Sequence, residues 1–150
     1  MNLLTRRAEE RDWARLMSWR NDPETVKASR KSARVGLEEH WNWLRQVVVD
    51  ESAGLYIVSD SERNITVGTG RIDERDERTV EISITVDPRL RGQGYAPRLV
   101  RAILEKVTVG VIVLATVKTD NVPSLRAFAD CGFLPARFKD SGLVELELKL

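Results

Sequence analysis

Between Thr79 and Val117 the hydrophobic period of the chain changes twice, and this points to a fold containing a parallel strand pair. Thr79 to Val86 alternates Val80, Ile82, Ile84 and Val86 with Glu81, Ser83, Thr85 and Asp87, the period of two that a half-buried strand requires. Ala96, Leu99, Val100, Ile103, Leu104 and Val107 then recur at helical spacing. Val111 to Val117 is a β-branched and apolar run of the kind found in buried strands. Strand, helix and strand in this order make a βαβ unit, with Arg89-Leu90-Arg91-Gly92-Gln93-Gly94 at its first corner.

The remaining chain supplies elements to place around that unit. Met1 to Arg6 reads as a short first strand, and Glu9 to Arg20 as a helix with Trp13, Leu16, Met17 and Arg20 on one side. Asn21-Asp22-Pro23 stops it. A short helical segment follows near Glu24 to Ser29, and Leu37 to Val49 is a further helix with Leu37, Trp41, Leu44 and Val48 as its stripe and His40 and Trp43 beside it. Leu55 to Ser59 and Ile65 to Ile72 predict a hairpin, Pro123 to Cys131 a helix capped by Asn121, and Phe133 to Phe138 and Leu143 to Leu150 two last strands. Seven strands and several helices in 150 residues, without repeats or a linker, predict one α/β domain over 1–150.

A strand end, a basic glycine turn and a helix start bring free backbone N–H groups and the positive helix end to one point. Such a point suits a phosphate. Gly92 and Gly94 permit positive φ and close approach of a ligand, and Arg89 and Arg91 add charge. A solvated basic turn capping a helix would use similar residues. The Gly-Lys-Ser/Thr ending of a Walker loop and the third glycine of the dinucleotide fingerprint are both missing, which argues against nucleotide hydrolysis and nicotinamide binding. With 24 Lys and Arg against 23 Asp and Glu, no broad field favours a nucleic acid or a membrane surface, so neither is an expected partner. One Cys and one His make a protein-held metal improbable, and no apolar run reaches membrane-span length. The cytoplasm is the expected compartment.

Taken together, Val86-Asp87-Pro88, Arg89 to Ala96, and then Asn121, Ser124 and Cys131-Gly132-Phe133 resemble the two cofactor motifs of the GNAT superfamily of N-acetyltransferases. That resemblance implies a mixed central sheet of about seven strands, flanked by helices, whose two middle parallel strands splay apart to admit acetyl-CoA. It also implies that backbone N–H groups of Arg91, Gly92, Gln93, Gly94, Tyr95 and Ala96 hold the pyrophosphate. Main chain at Thr85 and Val86 would meet the pantetheine arm, and Asn121, Ser124 and Phe128 would lie along the cofactor. The family usually has a tyrosine where Phe128 stands, as a proton donor to the departing thiolate. A phenyl ring cannot fill that role, so a water, Ser124 or Tyr95 would have to assist, or the thiolate would leave unassisted.

Transfer to an amine requires a proton acceptor. Glu81, on the polar face of the central strand where similar proteins often carry a carboxylate, is one candidate; pairing with an arginine is its structural alternative. His40 is the other, because an imidazole titrates near neutrality; a helical histidine can equally be structural. Cys131 lacks a visible partner base and reads as a small buried thiol. Trp19-Arg20-Asn21 and Glu38-Glu39-His40-Trp41 resemble a subgroup that acetylates nucleotide-linked amino sugars, and ribosomal-protein N-terminal acetyltransferases are similar here. By that resemblance Arg20, His40 and Trp41 would contact a small amine acceptor. A protein N-terminal acetyltransferase and an acyl-CoA-binding module without activity remain the alternatives, with the chain acting as monomer or homodimer.

Overall fold

The alternating segment becomes the middle strand of a seven-stranded sheet. In the computed structural model, whose described residues are 3–150, the strands are β1 (Leu3–Arg7), β2 (Ala53–Asp60), β3 (Ile65–Asp76), β4 (Thr79–Val86), β5 (Ile112–Lys118), β6 (Leu134–Lys139) and β7 (Leu143–Lys149). The helices are α1 (Trp13–Arg20), α2 (Pro23–Ala28), α3 (Leu37–Val47), α4 (Tyr95–Leu104) and α5 (Val122–Asp130). Met1 and Asn2, part of the expected first strand, lie outside the described residues. The strand order is β1-β2-β3-β4-β5-β7-β6. Every neighbouring pair is antiparallel except β4 and β5, joined through α4.

That parallel pair is short. Thr79, Val80 and Glu81 face Ile112, Val113 and Leu114, and the pairing stops there. Beyond it β4 stays bonded to β3 as far as Val86 opposite Gly68, and β5 stays bonded to β7 as far as Lys118 opposite Leu143. The two halves of the sheet therefore diverge after Glu81 and Leu114, as the family resemblance implies, leaving one backbone edge of β4 without a strand partner.

Each face of the sheet has its own core. Val80 and Ile82 point toward α4, where Leu99, Val100 and Ile103 are fully buried, and α5 adds Phe128. Each such side chain contributes about 1.5–3 kcal/mol by leaving water. On the opposite face Leu55 and Ile57 of β2 meet Leu16 and Trp19 of α1 and Leu44 and Val47 of α3. The buried stripes of α1 and α3 differ from the sequence expectation. Trp13 is 41% exposed and Leu37 55% exposed, while Trp19 and His40 are inside. Both helices carry large apolar residues on more than one side, so periodicity alone leaves their rotation free; contact with the sheet decides it.

The segment from Asp22 to Val35, which contains α2, runs across the divergence. Asp22 caps α2 by accepting from the Thr25 N–H, and Pro23 occupies the first turn. Arg91 of the glycine loop donates to Asp22 Oδ2 at 2.7 Å and Thr25 Oγ1 at 2.9 Å. Lys118 of β5 donates to Lys27 O and Ser32 Oγ, both at 2.6 Å. Arg30 pairs with Glu81 of β4. Among the described residues no helix is long and apolar enough to cross a membrane.

Candidate active site

At the carboxyl end of β4 a buried carboxylate sets the corner. Asp87 Oδ1 accepts from the Arg89 N–H at 2.9 Å and Asp87 Oδ2 pairs with Arg89 Nη2 at 2.8 Å. The hydrogen bond from Arg89 outweighs burial and keeps Asp87 below the usual carboxylate range. So held, it fixes the corner of the chain, and a carboxylate paired in this way is a weak proton acceptor. Gly92 (φ 75°) and Gly94 (φ 81°) then turn the chain into α4, and no atom lies within 4 Å of where a Cβ would stand on either. Gly94 caps α4 without a side chain, so the first-turn N–H groups of Tyr95 and Ala96 open on the exposed loop Arg91–Gly94. Gln93 Nε2 bonds only the loop itself, at Arg89 O, 3.4 Å. The Tyr95 hydroxyl is turned away: it donates to Asp60 Oδ2 at 2.9 Å and accepts from Arg63 Nη1 at 2.7 Å. Only the main chain of Tyr95 faces the loop's concave side.

Thr85 and Val86, half-buried, lie at the open edge of β4 that leads from this loop into the divergence. Glu81 sits at its vertex. Arg75 Nε donates to Glu81 Oε1 at 3.0 Å and Arg30 holds the other oxygen. Burial pushes Glu81 up, but the Arg75 hydrogen bond and the charges of Arg30 and Arg75 outweigh it, so the carboxyl lies below its ordinary value. A carboxylate with both oxygens occupied by guanidinium groups is a weak proton acceptor.

Between α1, α3 and the floor of β3 and β4 lies a cavity of about 400 Å³, lined by Arg20, His40, Trp43, Arg71, Ser83 and Thr85, among others. Arg20 and His40, distant in sequence, meet here because the exposed turn after α2 folds α3 back beside α1. His40 is only 3% exposed, stands 5.2 Å from the Trp43 ring, and its Nδ1 has no hydrogen-bond partner. Arg20 Nη1 is likewise buried and unpartnered. Each orphan costs about 1–3 kcal/mol in a closed fold, a cost that a ligand in the cavity could remove. Burial, followed by the charge of Arg20, pulls His40 below its ordinary value, so the imidazole is neutral at pH 7. Arg71 lies over the Trp43 ring, 5.7 Å from its centroid, and pairs with Asp73 at 2.9 Å.

Trp41 is half-buried against the cluster of α1, α3 and β2 and lies outside the cavity lining, whose aromatic wall is Trp43. In α5, Asn121 Oδ1 accepts from the Ser124 N–H at 3.3 Å, and Phe128 is 3% exposed with its ring edge-on to Phe133 at 5.1 Å. Phe128 thus presents no polar atom and sits chiefly in the core. Cys131 Sγ donates to Pro97 O at 3.4 Å, and burial pushes its thiol up, away from the reactive thiolate. Among the described residues no cluster of His, Cys, Asp and Glu could hold a metal ion. Arg71 and Ser83 escaped the sequence reading. They face each other across β3 and β4, and Ser83 shares the polar face of Glu81 and Thr85, the one signal that could have marked them.

A domain family described as Acetyltransferase (GNAT) matches residues 2–134. No curated protein matches the chain by sequence. Among solved structures, a domain from Methanocaldococcus jannaschii superposes with a TM-score of 0.86 at 20% identity, covering 99% of each chain. Spermidine N-acetyltransferase from Vibrio cholerae, in complex with CoA and spermine, superposes with a TM-score of 0.82 at 17% identity, covering 97% of this chain and 94% of that one. An aminoglycoside acetyltransferase in complex with coenzyme A gives 0.80 at 20% identity, covering 99% and 95%. At these identities the likeness is one of fold.

Proposed function

Since the chain belongs to the acetyltransferase (GNAT) domain family, we propose that it moves an acetyl group from acetyl-CoA to the primary amine of a small molecule by direct attack in a ternary complex. One observation carries this reading: Thr85 lies both in the stretch of β4 below the glycine loop that has no β5 partner and on the wall of the partly open cavity that holds Arg20 and His40. A thioester arm entering from the loop along β4 would reach an amine in that cavity. Complexes of fold relatives with CoA, and of one with acetyl-CoA, support the choice of donor.

In this reading the N–H groups of Arg91 to Ala96 hold the pyrophosphate, and alternate N–H and C=O groups of β4 between Ile82 and Val86 pair with the pantetheine amides. The bound cofactor supplies an activated acetyl thioester. The neutral His40 takes the proton from the acceptor ammonium, directly or through one water, so that the nitrogen lone pair can form the C–N bond as the C–S bond breaks. Glu81, held by Arg30 and Arg75, is assigned to fixing the segment after α2 on β4. The thiol, with an ordinary value near 8.5, leaves as thiolate without a donor at Phe128 and takes up, through water, the second proton that the nitrogen sheds as it becomes an amide. The volume of the cavity, about 400 Å³, suits a small amine better than a protein amino terminus, which would need a longer groove; a nucleotide-linked amino sugar with its sugar end in the cavity is one such acceptor.

Thiol release from acetyl-CoA, followed on the pure protein with a panel of primary amines, tests the reading. Release that depends on the amine is expected. Tight acetyl-CoA binding with no release on any amine would replace it with a binding module.

A further inference from the structure

The geometry points to an acceptor that carries an acid group beside its amine, with the acid group seated on Arg20. This rests on the reading of the cavity as the amine site. Three cationic side chains line it, Arg20, Lys31 and Arg71, against one carboxylate, Glu39. Arg71 has Asp73 as its counter-charge at 2.9 Å. Lys31 forms no ion pair among the described residues, and Arg20 Nη1 is buried with no acceptor at all. A guanidinium N–H can only donate, so what completes Arg20 is a group with lone pairs and no proton to offer, and a carboxylate or phosphate oxygen fits best.

His40 narrows the choice further. Its Nδ1 is also unpartnered, and burial, with the Arg20 charge second, keeps the ring neutral. A neutral imidazole beside a guanidinium can share the acid group through an N–H, or take an N–H from the amine, but it does not add a second positive charge. A ligand with several ammonium groups meets the opposite situation. Transfer neutralises one of them, and the others remain against Arg20 and Lys31, with Glu39 as the one opposing carboxylate, inside a partly closed space where like charges are poorly screened. The polyamine class is therefore disfavoured by charge, and amines joined to a carboxylate or a phosphate are selected.

Matched pairs of amines test this: β-alanine against propylamine for a carboxylate, and glucosamine phosphate against glucosamine for a phosphate, with spermidine as the polycation. Binding is read by calorimetry and acetylation by thiol release, each on the wild type, Arg20→Met and Lys31→Met. In at least one pair the acid-bearing member should bind, and be acetylated with kcat/KM higher, by about tenfold or more. Arg20→Met should erase that preference; Lys31→Met, at an exposed position that leaves folding intact, should reduce it and make it less sensitive to salt. The pair that shows the preference identifies carboxylate or phosphate as the acid group. Acetylation of propylamine, glucosamine or spermidine at rates equal to or above those of the acid-bearing amines overturns the inference and leaves the transfer reading standing. Binding of the acid-bearing member without acetylation reverses that outcome: the acid site stands and the transfer reading falls. A preference unchanged in both variants, or no binding of any acid-bearing amine, removes Arg20 as its seat.

Discussion

His40 and Glu81 divide between them the two tasks a titratable group can perform here, and their partners decide which does which. Glu81 has two guanidinium partners and a lowered pKa; His40 has an unpartnered nitrogen in the cavity. His40→Gln is expected to lower kcat by about 10²-fold or more, in line with loss of general base catalysis, with acetyl-CoA binding unchanged by calorimetry. Glu81→Gln should lower kcat by a smaller factor; the reverse ranking would return the base role to Glu81. Burial depresses the folded-state pKa of His40, so its contribution to stability is present above the unfolded value near 6.5 and is lost as pH falls through that value toward the folded one. Urea midpoints measured from pH 7.5 down to 5 should therefore fall more steeply in the wild type than in His40→Gln. At the loop, Gly94→Val places a β-branched side chain at φ 81°, a conformation costing about 1–2 kcal/mol for an L-residue, and puts bulk where a phosphate would approach. Acetyl-CoA affinity should drop about tenfold or more, as a calorimetric titration would read, while far-UV circular dichroism stays native.

At the scale of elements, helix ends carry much of the site's placement. Asn121 accepts from the Ser124 N–H and starts α5, whose far end buries Phe128 against Phe133. Asn121→Ala should cost about 1 kcal/mol as a lost cap, seen as a fall in Tm of about 2–4 °C in a chain of this length. The Asn121 cap was readable from the sequence because it is local, an Asn before Pro123 acting within one turn, and so were the glycines before a helical stripe; Asn21-Asp22-Pro23 read only as the stop of α1, and that Asp22 also caps α2 came with the structure. β4 and α4 were readable for the same reason, since their periods are clean. The rotations of α1 and α3 were not. Trp13, Leu37 and Trp41 are as apolar as the residues that went inside, and only the surface of β2 and β3 beneath them selects Trp19, His40, Leu44 and Val47. The rotation of α3 turns His40 from a residue beside the stripe into one at its centre, and the candidate cavity depends on it.

For the whole molecule, the long-range encounters are what sequence spacing could not convey. Nothing near Arg20 announces His40, and nothing near Glu81 announces Arg30, because each pairing exists only once the segment from α1 to α3 has docked on the sheet; Arg75, six residues away on the adjoining strand, is the local partner of Glu81. The short contact between β4 and β5 is of this kind too: both strands look complete in sequence, yet they share only the positions from Thr79 to Glu81. That shortness also sets a clock. Within Ile82–Val86, amides turned toward β3 exchange with solvent only when the sheet opens, whereas those turned toward the divergence have no strand to wait for. Deuterium uptake along β4 should accordingly split into alternating slow and fast amides, with the slow set alone continuing through Thr79–Glu81. Acetyl-CoA added without any acceptor should move the fast set into the slow one, and an unchanged pattern would mean that the arm does not lie along β4. The middle of the sheet, ordinarily the last part of a fold to trade its hydrogens, should here contain a set of amides among the first to do so.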